Sequence, residues 1–132
     1  VRAARYGFIP FADYVKQANE AVMVLTQVEH VDAVAQLDEI LAVEGLDGIF
    51  VGPVDLSQSM GIPGQVNNEE FRATVSDILK RTKAAGKVAG IFCFNAADAQ
   101  HWISQGANFV IVAADIMFLS GAARKLVSEL RS

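Results

Sequence analysis

The 132 residues include one cysteine, no cluster of basic residues and no long apolar run. A lone Cys93 cannot form an internal disulfide. Its neighbours Ile91, Phe92 and Phe94 read as a buried strand rather than the open, electropositive surroundings of a reactive thiol. A reducing, cytoplasmic setting is expected. Eleven Lys and Arg against 15 Asp and Glu leave a net charge of -4, with no basic stripe to meet phosphates, which excludes nucleic acid as a partner. No apolar stretch approaches the roughly 20 residues that span a bilayer. The amino terminus also lacks the charged-then-apolar layout of a signal peptide, so no membrane partner is expected. The chain opens on Val1 without an initiator Met, inside what already reads as a structured segment, and a trimmed or incompletely given chain is expected.

What is present is a chain 52% hydrophobic and 20% charged, too apolar for disorder and sized for a single domain, residues 1–132. Four apolar runs, 22–28, 48–51, 88–94 and 109–114, are rich in Val, Ile and Phe and nearly continuous, as strands covered on both faces are. Between them lie helical patterns. Val34, Leu37, Ile40 and Leu41 recur at three- and four-residue spacing before Gly45. Asn67 with Glu70 predicts a capping box, followed by the stripe Phe71, Val75, Ile78, Leu79 and Thr82 and a stop at Gly86. Asn95 predicts the cap of a helix with Ala99, Trp102 and Ile103, closed by Gly106, and a last helix carries Leu126, Val127 and Leu130. A further helix is expected around 12–19.

Strict alternation of strand and helix implies an α/β fold with a parallel sheet. Two architectures accept it: an open doubly wound sheet, or a (β/α)₈ TIM barrel of which these four βα units are half. No Gly-x-Gly-x-x-Gly follows the first strand, so the dinucleotide fold has no positive support. A barrel takes about 250 residues, and a half barrel exposes two unpaired edges that call for a partner.

In either architecture ligands gather at the carboxyl ends of the strands. Gln27 and Glu29 alternate to one side of the first strand's end. Asp55 follows the end of the second strand, after Gly52-Pro53. If the strands are neighbours, the carboxylates of Glu29 and Asp55 can converge on one hard cation, Mg²⁺ or Mn²⁺, with positions left open for water and substrate. The plainer reading makes Asp55 the cap of a short helix starting at Leu56, and Glu29 a solvated carboxylate at a helix start. Gly52-Pro53 shapes a turn that lets backbone approach a ligand.

Gln27-Val28-Glu29, with the segment 43–57 that ends in Gly52-Pro53-Val54-Asp55-Leu56-Ser57, resembles the metal-dependent (class II) pyruvate aldolases acting on 2-keto-3-deoxy sugar acids and on 4-hydroxy-2-oxoheptanedioate. The resemblance continues through Met60-Gly61, Gly64, Gly86-Lys87, Gly90-Ile91, Gly106-Ala107 and Phe109-Val110 to Asp115, nearly the whole chain, and Val1 to Tyr6 resembles the family's loop after its fourth strand. It implies the (β/α)₈ barrel, of which this is the carboxy-terminal half. It also implies metal ligands at Glu29 and Asp55 for Mg²⁺, Mn²⁺ or Co²⁺. Gln27 would then lie beside pyruvate, and backbone at Gly52, Pro53, Val54 and Asp55 would receive a 2-oxo acid carboxylate. The implied reaction is carbon–carbon cleavage to pyruvate and an aldehyde, with the cation stabilising charge at the keto oxygen.

The departures from the family are equally specific. Its catalytic arginine and histidine lie on earlier strands that have no counterpart here. Arg2 and Arg5 sit in the loop segment, His30 points away from the Glu29 side, and His101 falls in a helix, so none of them is read as catalytic. The segment 1–10 reads as a loop shortened relative to the family. Phe118 is a candidate apolar contact to pyruvate, and Trp102 and the strand phenylalanines are read as core. The family also forms homo-oligomers, including hexamers that exchange the last helix, which assigns the segment 120–132 to a neighbouring subunit. Two alternatives stand beside the aldolase: an acyl-coenzyme-A-type lyase on the same fold, and a catalytically incomplete chain that needs a partner.

Overall fold

The computed structural model describes residues 2–131. Four strands, β1 (Leu25–Val28), β2 (Gly48–Val51), β3 (Val88–Cys93) and β4 (Phe109–Val112), form one sheet in sequence order, every pair parallel. Within the segment expected as a shortened loop, Arg2–Gly7 forms a 3₁₀ helix. Helix α1 (Phe11–Ala21) precedes β1, and α2 (Val31–Ala35) with α3 (Leu37–Leu41) joins β1 to β2. Helices α4 (Pro53–Ser59) and α5 (Glu69–Ala84) lead to β3, α6 (Ala96–Ser104) leads to β4, and α7 (Asp115–Arg131) follows. Among the described residues, no helix is long and apolar enough to cross a membrane.

Three sequence expectations are corrected. The helix predicted between the first two strands is broken at Gln36 (φ -96°, ψ 14°): Leu37 and Leu41 beyond the break are buried, whereas α2 buries nothing. The cap of α5 is Asn68 rather than Asn67. Its Oδ1 accepts the N–H groups of Glu70 and Phe71 at 2.8 and 3.4 Å, and a cap one residue later still faces the same stripe. Finally, β1 and β4 are shorter than their apolar runs. Val22, Met23 and Val24 are exposed linker, and Ala113 leaves the strand at φ 57°.

The expectation that both faces of the sheet are covered holds for one face only. On that face Ile49, Val51, Ala89, Ile91 and Cys93 pack against Leu37, Leu41, Phe71, Val75, Ile78, Leu79, Ala99 and Trp102, all buried in one cluster. Each fully buried Val, Leu, Ile or Phe among them contributes roughly 1.5–3 kcal/mol by leaving water. The opposite face carries Gln27, Phe50, Gly90 and Phe109 side by side across the four strands. These positions are half open, except for buried Gly90 and exposed Gln27. Gly90 has a packing reason: a Cβ there would stand 2.8 Å from the Phe50 ring and 3.3 Å from that of Phe109. Its absence lets the two rings meet edge to face at 6.1 Å.

Candidate metal and substrate site

Two chain exits at the carboxyl end of the sheet build the site. Val28 pairs with Val51, so continuing the register by one residue sets Glu29 alongside Gly52. A Cβ added at Gly52 would lie 2.6 Å from Glu29 Oε2 and 3.1 Å from Glu29 Cβ. The missing side chain is therefore the space in which the Glu29 carboxylate rests. Gln27, on the same side of β1, donates from Nε2 to Glu29 Oε2 at 3.0 Å and fixes that oxygen. His30, which follows Glu29, caps α2, accepting the Asp32 N–H on Nδ1 at 3.2 Å. It fills the helix-start role that the plainer reading gave to Glu29.

After β2, Gly52 is the cap residue of α4 and Pro53 occupies the first turn, where its missing N–H and fixed φ cost the helix nothing. Asp55 also lies in the first turn but makes no side-chain capping bond. Its carboxylate is exposed and has no hydrogen-bond or ion-pair partner among the described residues. The reading of Asp55 as a cap for a helix starting at Leu56 therefore does not hold.

Gln27, Gly52, Pro53, Val54 and Asp55 line one hollow together with Phe50 and Phe92. An adjoining hollow is lined by Glu29, His30, Asp55, Gln58 and Ser59, and the two share Asp55. Six of the seven residues singled out in the sequence are thus brought together. The seventh, Phe118, is not: it stands on α7 at 65% exposure and lines neither hollow. Phe92 is an apolar side chain that does line the first hollow. The sequence reads it as core, whereas its spacing of two from Gly90 puts it on the open face with Phe50. Behind Pro53 and Phe92 a narrow cleft reaches Arg72, Cys93, Asp98 and Trp102. The Cys93 thiol there is pushed up to about 11, first by burial and then by the charge of Asp98, which rules out a thiolate nucleophile at neutral pH.

The donor set suits a hard divalent cation. Glu29 and Asp55 offer anionic oxygens, and Gly52 leaves room for one of them. Among the described residues no group of three or more His, Cys, Asp or Glu side chains converges, so a cation here would meet two carboxylates. Mg²⁺ characteristically binds in this way, through one or two carboxylates with water and substrate completing its shell.

Residues 3–122 match the family model described as HpcH/HpaI aldolase/citrate lyase. The chain is 45% identical over 121 residues to a 2-keto-3-deoxy-L-rhamnonate aldolase of Salmonella paratyphi B, a match covering 92% of the chain and 45% of that protein. It is 41% identical over 131 residues to the protein of that name from Escherichia coli O1:K1, covering 99% and 48%. Among solved structures, an HpcH/HpaI aldolase/citrate lyase family protein from Burkholderia cenocepacia superposes with a TM-score of 0.88 at 36% identity, covering all of this chain and 51% of that one. The chain spans about half the length of the curated relatives it matches.

Proposed function

The chain belongs to the HpcH/HpaI aldolase/citrate lyase family, and on that footing we propose that it forms the metal- and pyruvate-binding part of a carbon–carbon lyase. The substrate is a 2-keto-3-deoxy sugar acid or a 4-hydroxy-2-oxo diacid, cleaved to pyruvate and an aldehyde. The 45% identity to a 2-keto-3-deoxy-L-rhamnonate aldolase supports the sugar-acid branch. The observation that carries the reading is the convergence at Gly52, where the Glu29 carboxylate occupies the place of a side chain and lines one hollow with Asp55.

Glu29 and Asp55 would hold Mg²⁺, Mn²⁺ or Co²⁺. When bound, such a cation offsets the negative charge that grows on a 2-oxo acid's keto oxygen as the carbon–carbon bond breaks. Gln27 orients Glu29 through one amide N–H and retains a second N–H and its carbonyl for the substrate. Phe50 and Phe92 offer an apolar wall to pyruvate's methyl carbon and keep water from it. The proton-moving groups are assigned to a family arginine and histidine on earlier strands, and neither role is given to His30, which lines the hollow with Glu29 and Asp55. Helix α7 buries none of its residues and exposes Ile116, Phe118, Leu119, Leu126 and Leu130, which supports its packing on a neighbouring subunit.

The test is pyruvate release from a panel of 2-keto-3-deoxy sugar acids and 4-hydroxy-2-oxo diacids by the protein that carries this chain. The panel is run after chelation and again after restoring Mg²⁺ or Mn²⁺. Release that returns with the cation is expected. No release from any member would refute the lyase reading.

A further inference from the structure

We propose that Ser59 is a positioning residue that locks the turn carrying Glu29 to the helix carrying Asp55, so that both carboxylates face one cation. The inference rests on the metal site proposed above. The Ser59 hydroxyl accepts the Val31 N–H at 3.1 Å and donates to the Leu56 carbonyl at 3.0 Å. Val31 is two residues beyond Glu29, and Leu56 directly follows Asp55.

Val31 opens α2, where a helix offers its own N–H no acceptor, so the hydroxyl satisfies a donor that would otherwise need water. Among the described residues it makes the one side-chain hydrogen bond between the segments 29–35 and 53–59. Ser59 is half-buried and lines the hollow that Glu29 and Asp55 share. Ser57 makes a contrasting tie. Its hydroxyl donates to the Val54 carbonyl at 2.7 Å and accepts the Gly64 N–H at 2.9 Å, which anchors α4 to the following loop and leaves the Glu29 turn untouched. Without Ser59 the two exits would still meet through the Val28–Val51 pairing and at Gly52, but no hydroxyl would fix the start of α2 to the end of α4. Groups hydrogen-bonded to the ligands themselves typically change metal affinity by roughly 10- to 100-fold when removed, and Ser59, which acts through the backbone beside each ligand, is expected at the low end of that range.

The experiment is an electron paramagnetic resonance titration of Mn²⁺ into the full chain, made well below the melting temperature of every variant. Ser59→Ala is expected to weaken binding about tenfold with its circular dichroism spectrum unchanged. Ser59→Thr, which keeps the hydroxyl, is expected to restore it. Should Ser59→Ala not fold, Ser59→Cys replaces the hydroxyl with a weak donor and acceptor of similar size and is expected to show the same weakening. Wild-type affinity in Ser59→Ala, or in Ser59→Cys where that variant stands in for it, would overturn the positioning role, as would a Thr variant as weak as the Ala. The metal assignment itself fails separately, by absence of Mn²⁺ binding in the wild type or by its persistence in Glu29→Gln.

Discussion

The two ends of the sheet use the same kinds of residue for opposite purposes. At the amino end, polar side chains are consumed by backbone. Asp47 Oδ2 accepts the Val24 N–H at 2.6 Å, Asn108 Oδ1 accepts the Ala89 N–H at 2.8 Å, and Lys87 donates to the carbonyls of Leu46 and Val43. At the carboxyl end, among the described residues, the Glu29 carboxylate accepts one hydrogen bond, from the amide of Gln27, and the Asp55 carboxylate has no hydrogen-bond or ion-pair partner. A carboxylate that closes a strand connection adds about 1 kcal/mol to stability, whereas one held open at a shaped turn is available to a ligand. β2 shows the contrast within a short segment, since Gly48 opens the strand and Gly52 directly follows it, and at each the missing Cβ makes room. At Gly48 the space is filled by the Val88 carbonyl and side chain, and at Gly52 by the Glu29 carboxylate.

The largest expected effect is at the open end. Glu29→Gln or Asp55→Asn keeps shape and removes charge, and either should lower metal-dependent pyruvate release at least about 100-fold while the melting temperature holds. Activity near the wild-type level in both variants would erase the distinction between the two ends. The paired glycines sharpen it. Gly52→Ala should push the Glu29 carboxylate aside and weaken Mn²⁺ binding roughly tenfold with little effect on folding. Gly48→Ala should instead cost about 1–3 kcal/mol of stability by overpacking against β3, read by urea unfolding, with Mn²⁺ affinity unchanged in the folded protein. The smallest effect concerns Cys93, a group of the carboxyl end that is closed rather than open. Its thiol titrates near 9.0 when unfolded and at about 11 when folded. The stability it contributes is full below about pH 9 and is lost as pH rises through about 11. Cys93→Ala should flatten that alkaline decline in unfolding curves.

Much of this was legible in the residues. Val- and Ile-rich runs located all four strands, and period-two alternation put Gln27 and Glu29 on one side before any contact was known. The glycine-proline turn marked the exit that holds Asp55. What the sequence left hidden depends on tertiary contact. The break at Gln36 follows from how Leu37 and Leu41 enter the core, and the choice of Asn68 over Asn67 from a shift of one residue at the start of α5. Phe92 was hidden because an apolar residue in a strand looks the same whichever face it occupies. Here one face is core and the other lines the hollow, and counting from Gly90 would have told them apart. Phe118 stands apart from the two hollows because its place on α7 is set by a helix that buries none of its residues here.

The central claim is that Glu29 and Asp55 share one divalent cation, and the most direct test is calorimetric titration of Mn²⁺ into the wild-type chain and the two single variants Glu29→Gln and Asp55→Asn. One site per chain in the wild type, lost in each variant, is the predicted result. Failure of the wild type to bind, or binding that survives removal of either carboxylate, would contradict it.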